Sequence, residues 1–258
     1  MTSTGCSNRD IRALYNQLVP GKFQGDYEFE RWFRRPRSRS EYFMTYSSIR
    51  RQCEDVQFSR CLEIGPGPGT WTPVLFRSNP SAEFDLVDIS EEMREQFFGG
   101  MRAGLENVRY HTGDFLDFQA ERPYDFVLCS RALEYFEDKR AFATQLARLL
   151  ASGAEGVMIT KNPDRWLLRK LIGRKDRRSH HQGQVGIRKL RDLLEAAGFR
   201  NVKCFPAVIQ LPVGRLLAPV ATGLVEGFYA RLCGRELSTA PRWVVGITES
   251  YLVRFSRP

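Results

Sequence analysis

Histidine is scarce in this sequence: among 258 residues only His111, His180 and His181 carry an imidazole. The six cysteines, Cys6, Cys53, Cys61, Cys129, Cys204 and Cys233, are scattered and form no Cys-x-x-Cys pair. That spacing argues against a zinc site and a disulfide scaffold, and it fits a reducing cytoplasm. No apolar run reaches the roughly 18 residues a spanning helix needs. The opening segment, MTSTGCSNRDIRALYN, lacks the apolar core of a secretory leader. Gly-Lys-Ser/Thr is missing as well, which excludes a phosphate-binding P-loop.

What is present suits a single α/β domain: 42% of residues are hydrophobic and 27% charged. A chain of this size buries a substantial core without disulfides or metals. The net charge of +9 favours polyanions or anionic membrane surfaces, or serves solubility alone.

Residues 1–55 place Phe29, Trp32, Phe33, Tyr42, Phe43 and Tyr46 at helical spacing and read as an N-terminal helical cap. From Arg60 short apolar runs alternate with amphipathic segments. Strands are predicted over Arg60–Gly65, Phe84–Ile89, Val108–His111, Tyr124–Ser130 and Gly156–Lys161. Helices are predicted over Thr72–Arg77 and Lys139–Leu150, the second ended by Ser152-Gly153. A helix over Ile187–Ala197, a strand over Val202–Leu211 and a final strand at Ser250–Phe255 complete the pattern. The alternation predicts a doubly wound, mostly parallel seven-stranded sheet with helices on both faces. Residues 56–202 form its core, 161–183 and 206–245 are acceptor-side and cap segments, and 250–256 hold the last strand.

Cys61-Leu62-Glu63-Ile64-Gly65-Pro66-Gly67-Pro68-Gly69-Thr70 is the most informative stretch. Glycines at a strand-to-helix turn let a ligand approach backbone where a Cβ would collide. The carboxyl end of the first strand is where doubly wound sheets bind nucleotides. A dinucleotide fingerprint would put its third glycine at position 70, where this chain has Thr70. Glu63 would repel a pyrophosphate but could order waters or an ammonium group. The turn therefore suits a cofactor without phosphate, S-adenosylmethionine.

From Arg60 to Val202 the chain resembles the class I methyltransferase family, especially its quinone-biosynthesis and natural-product group. Glu63, Gly65, Pro66, Gly67 and Gly69 resemble the first motif, and Asp88, Ile89 and Met93 the second. Gly113-Asp114-Phe115, Tyr124–Ser130 and Arg131-Ala132-Leu133-Glu134-Tyr135 follow in the family's order, with Tyr135 where histidine is common. The resemblance implies that Asp88 accepts from both ribose hydroxyls, a task suited to an acceptor-only carboxylate. It implies that Asp114 accepts from the adenine amine, with Phe115 near the ring and Ser130 and Arg131 at the cofactor's border. Asp125 reads as a structural turn residue, and His111 as packing or solvent-facing.

The acceptor is less legible. His181 is the candidate general base, beside His180 in a segment that overhangs the cofactor in related enzymes; both also read as helix-entry residues. Arg131 and Tyr135 line the acceptor or meet the cofactor's carboxylate, and Arg37 or Arg39 are alternatives for that carboxylate. Of two basic clusters, Arg31–Arg39 and Arg165–Arg178, the second reads as a basic amphipathic helix suited to an anionic membrane surface, and both read as solvated faces or as a docking surface for RNA or protein. Leu211–Phe228 is a cap, a lid, an interfacial segment or a homodimer contact. The leading expectation is methyl transfer to an O or N atom of a small, aromatic or lipid-linked acceptor in the cytoplasm. An RNA or protein methyltransferase and an inactive cofactor-binding scaffold rank below it, since no RNA-binding module is evident.

Overall fold

The computed structural model describes residues 8–22, 26–99, 107–165, 183–211 and 218–258. Two helices come first, α1 (Asn8–Lys22) and α2 (Pro36–Cys53), with a π-helical turn over Phe29–Phe33 between them. Then follow β1 (Arg60–Ile64), α3 (Thr72–Ser78), β2 (Glu83–Asp88), α4 (Glu91–Gly99), β3 (Val108–Thr112), β4 (Tyr124–Ser130), α5 (Lys139–Leu149) and β5 (Leu150–Lys161). The chain closes with α6 (Ile187–Ala196), β6 (Arg200–Ile209), α7 (Ala218–Ala230), α8 (Arg242–Ile247) and β7 (Thr248–Ser256).

The seven strands run in the order β3-β2-β1-β4-β5-β7-β6. β1 through β5 pair in parallel, whereas β7 is antiparallel to both β5 and β6. Strand runs such as Phe126–Cys129 are apolar throughout because both faces of such a sheet are covered. Successive side chains alternate sides: Phe126 and Leu128 join one apolar cluster, Val127 and Cys129 the other. The order reverses at β1 and β4, which opens a crevice at the carboxyl ends of the parallel strands.

Local chemistry sets the ends of α5. Asp138 caps it by accepting from the N–H groups of Arg140 and Ala141, as an N-cap carboxylate does. Its far end departs from the expected one. Leu150 is already extended (φ −90°, ψ 145°) and pairs with Tyr124, so Ser152 and Gly153 lie inside β5 and do not terminate the helix. Gly153, at φ +82°, donates to the Arg257 carbonyl, and the β4–β5 register shifts beside it.

The N-terminal cap is packed, not loose. Tyr229 on α7 donates to the Met44 carbonyl of α2 at 2.9 Å, and its hydroxyl lies 3.0 Å from the Ser48 hydroxyl. α1 crosses to the second βα unit, where Ser90 donates to Asn16 (2.7 Å) and Arg12 pairs with Glu91 (2.5 Å). α4, α7 and α8 were not among the predicted elements. In α4 only Met93 and Phe97 are buried, too sparse a pattern to declare a helix. Among the described residues no helix is long and apolar enough to cross a membrane.

Candidate active site

β1 runs into a turn whose glycines all take left-handed backbone: φ +65° at Gly65, +58° at Gly67 and +75° at Gly69. An L side chain is strained there. At Gly65 a Cβ would also sit 2.4 Å from the Ala132 Cβ, so the turn closes tightly on the segment after β4. Three bonds fix it: Gly65 N–H to the Val87 carbonyl (2.9 Å), Gly69 N–H to the Pro66 carbonyl (3.1 Å) and Tyr110 O–H to the Gly67 carbonyl (2.9 Å). Glu63 lies beneath the turn, 1% exposed, and accepts from the Thr72 hydroxyl at 2.7 Å. It ties β1 to the start of α3 and does not border the cavity.

Asp88 ends β2 beside this turn. One oxygen accepts from Gly67 N–H (3.0 Å), the other from Ser90 N–H (2.9 Å). Burial pushes its carboxyl up to about 6, against the opposing pull of the N–H groups of Ser90, Gly67 and Ile89. Asp114 follows β3 and caps the short turn Phe115–Asp117 by accepting from Leu116 N–H at 3.0 Å. Phe115, behind it, packs on Phe136 and Phe142.

A cavity of about 350 Å³ opens over these strand ends. Gly65, Pro66, Gly67, Asp88, Ile89, Met93, Asp114, Phe115, Ser130 and Arg131 all border it, so most of the expected set comes together. Glu63 and Gly69 support the turn from outside the lining. His181 and His180 lie outside the described residues, as does most of the second basic cluster. Asp125 holds the N–H groups of Ser59 and Arg60, a structural duty. His111 packs its ring on Phe118 and meets Asp85 at 2.7 Å, away from the cavity.

The sequence profile of the methyltransferase-domain family matches residues 27–204, more than half of the chain. The chain belongs to that family.

Relatives of this methyltransferase-domain chain include trans-aconitate 2-methyltransferase of Escherichia coli, 28% identical over 105 residues. That match covers 41% of this chain and 39% of the relative, so the chain spans about two fifths of the length of the curated relatives it matches. Among solved structures, N-methyltransferase NodS of Bradyrhizobium japonicum with S-adenosyl-L-homocysteine superposes with a TM-score of 0.60 at 15% identity, covering 94% of this chain and 99% of that one. Magnesium protoporphyrin IX methyltransferase of Synechocystis, also with S-adenosyl-L-homocysteine, gives 0.62 at 14%, covering 95% and 99%. These likenesses establish the fold.

In the methyltransferase-domain chain the cavity also has walls that the sequence motifs did not mark. Ile11, Leu14 and Tyr15 of α1 cover it, with Tyr27, Arg31 and Trp32 beside them. Arg31, not Arg37 or Arg39, is the arginine of the first cluster that reaches the cavity; Arg37 pairs with Glu41 at 3.1 Å. Arg31 lies 4.0 Å over the Trp32 ring and 3.8 Å from Glu41. Arg131, at φ +66°, turns into the opening with its N–H on the Ile159 carbonyl (2.8 Å). Its guanidinium pairs with Glu134 (3.2 Å) and Glu249 (3.4 Å). Lys161, the last residue of β5, completes this side. Its place at a carboxyl strand end was the available signal.

Proposed function

We propose that the chain is an S-adenosylmethionine-dependent methyltransferase acting on an O or N atom of a small molecule. The arrangement of Asp88 carries this reading. Its carboxylate is held by two backbone N–H groups at the end of β2, beside a turn of left-handed glycines and at the edge of the cavity. That is an acceptor-only group suited to a pair of ribose hydroxyls, at a site with no P-loop lysine. The cofactors in the solved relatives and the name of the curated one support the same reading.

The lining fits the parts of the cofactor. Ile89, Met93 and Phe115 offer apolar surface for the adenine, with Asp114 as acceptor for its amine. Gly65 to Gly67 present backbone to the amino-acid portion, bordered by Ser130 and Arg131, and Arg31 supplies a cation for its carboxylate. When bound, S-adenosylmethionine supplies an electrophilic methyl group on a positively charged sulfur. The chain's own contribution is then mainly position and exclusion of water. Tyr15, Tyr27 and Tyr135 stand over the opening, and burial first of all pushes each hydroxyl up from its ordinary value. They therefore stay protonated and serve as donors, not as bases.

Titration with S-adenosyl-L-homocysteine tests the reading. Binding to the wild type that Asp88→Ala weakens about a hundredfold, the loss of two bonds to a charged acceptor, supports it. Equal affinity of the two proteins removes the role of Asp88.

A further inference from the structure

Beyond the cofactor set, the cavity holds a cation that the cofactor reading leaves unused. Arg131 and Arg165 are matched by Glu134 and Glu249: Arg131 pairs with both carboxylates, and Arg165 lies 3.5 Å from Glu249. Glu249 also feels Lys161, so among the described residues three cations share two carboxylates. Lys161 faces the same cavity, and its ammonium makes no ion pair or hydrogen bond with any described residue. Its backbone N–H, by contrast, is held by Glu134 at 2.9 Å, and its strand is clamped between β4 and β7. The lysine is thus rigidly based and half-buried, and among the described residues its group carries one positive charge more than its carboxylates balance.

We propose that Lys161 pairs with a carboxylate of the methyl acceptor, so that this chain's substrates are small carboxylate-bearing molecules. The inference rests on the methyltransferase reading above and names its acceptor class. Sheet topology separates this cation from the cofactor. Asp88 ends β2 and the glycine turn follows β1, whereas Lys161 ends β5, on the other side of β4. Burial and then the neighbouring Arg131 lower the lysine's pKa, against the opposing pull of Glu249 and Glu134, as expected where three cations share two carboxylates. An incoming carboxylate relieves that excess, while a cationic acceptor would add to it. Tyr27 and Tyr135 border the same cavity and offer hydroxyl donors for the second oxygen.

The test uses the full chain saturated with S-adenosyl-L-homocysteine and titrated with trans-aconitate, with benzoate, and with trimethyl trans-aconitate as the uncharged control. At least one acid should bind the wild type, and the ester should bind far more weakly. Lys161→Met should weaken acid binding about tenfold or more, Lys161→Arg should restore most of it, and neither variant should change affinity for S-adenosyl-L-homocysteine. Failure of both acids to bind, or equal binding to wild type and Lys161→Met, overturns the proposal. So does a matching loss of S-adenosyl-L-homocysteine affinity in Lys161→Met, which would assign the lysine to the cofactor. If the wild type does not bind S-adenosyl-L-homocysteine at all, the methyl-donor reading has failed, and the acceptor inference falls with it.

Discussion

The hydroxyl oxygens of Tyr15 and Tyr135 lie 2.5 Å apart, joining α1 to the turn after β4 across the cavity. Their rings meet edge to face, with centroids 5.6 Å apart. With the Asn16–Ser90 bond and the Arg12–Glu91 pair, this contact holds the first helix over the opening. Tyr135→Phe removes the shared bond at a cost of about 1 kcal/mol. Hydrogen–deuterium exchange should then quicken in residues 8–22 while the strands stay protected. Unchanged exchange there would mean that α1 is held by its other contacts.

Asp88 predicts a pH dependence. Its carboxyl is raised to about 6 by burial, and in the proposed role only the ionised form can accept from both ribose hydroxyls. Affinity for S-adenosyl-L-homocysteine should therefore fall as pH drops through about 6. In the unliganded protein the sign is opposite. A raised carboxyl gives stability that is full below the unfolded value of about 3.9 and lost as pH rises through the folded one. Asp88→Asn should flatten both profiles, measured by calorimetric titration and by thermal melts from pH 4 upward.

Gly65→Ala combines a left-handed backbone with the 2.4 Å approach to Ala132. It should cost about 2–4 kcal/mol of stability. Gly99→Ala is the comparator, since a Cβ there meets nothing within 4 Å. Urea unfolding of the two variants should differ by most of that amount.

Asp85 supports the sheet far from the cavity. Burial tends to raise its carboxyl, but hydrogen bonds from His111, Arg109 and the Tyr124 hydroxyl outweigh it and hold the group well below its ordinary value. Arg60 adds a contact at 3.2 Å. A depressed carboxyl contributes stability that is present above the unfolded value, about 3.9, and lost as pH falls toward the folded one. Asp85→Asn should destabilise the protein by about 1–3 kcal/mol at neutral pH, with the difference from wild type shrinking in acid. Melts at pH 7 and pH 3 measure it.

That the glycine turn, Asp88 and Asp114 meet at one cavity was legible because a strand-to-helix turn of this kind demands particular residue types at fixed spacing along the chain. The parallel strands were legible because burial on both faces makes them continuously apolar. The helix-to-strand switch at Leu150 was hidden: Ala151-Ser152-Gly153 reads as a terminator, and only pairing with β4 makes it strand. Tyr15 carries no local signal, since its partner lies 120 residues away. Arg31 was one of five arginines in a cluster, and only the fold shows which one faces the cavity. Lys161 became informative only when the fold gathered it with Arg131 and Arg165 around just two carboxylates, Glu134 and Glu249.

Calorimetric titration of S-adenosyl-L-homocysteine into the wild type and Asp88→Ala at neutral pH bears most directly on the central claim. Saturable binding at one site per chain is expected, with affinity about a hundredfold weaker in the variant. No binding to a wild type that melts cooperatively would contradict it.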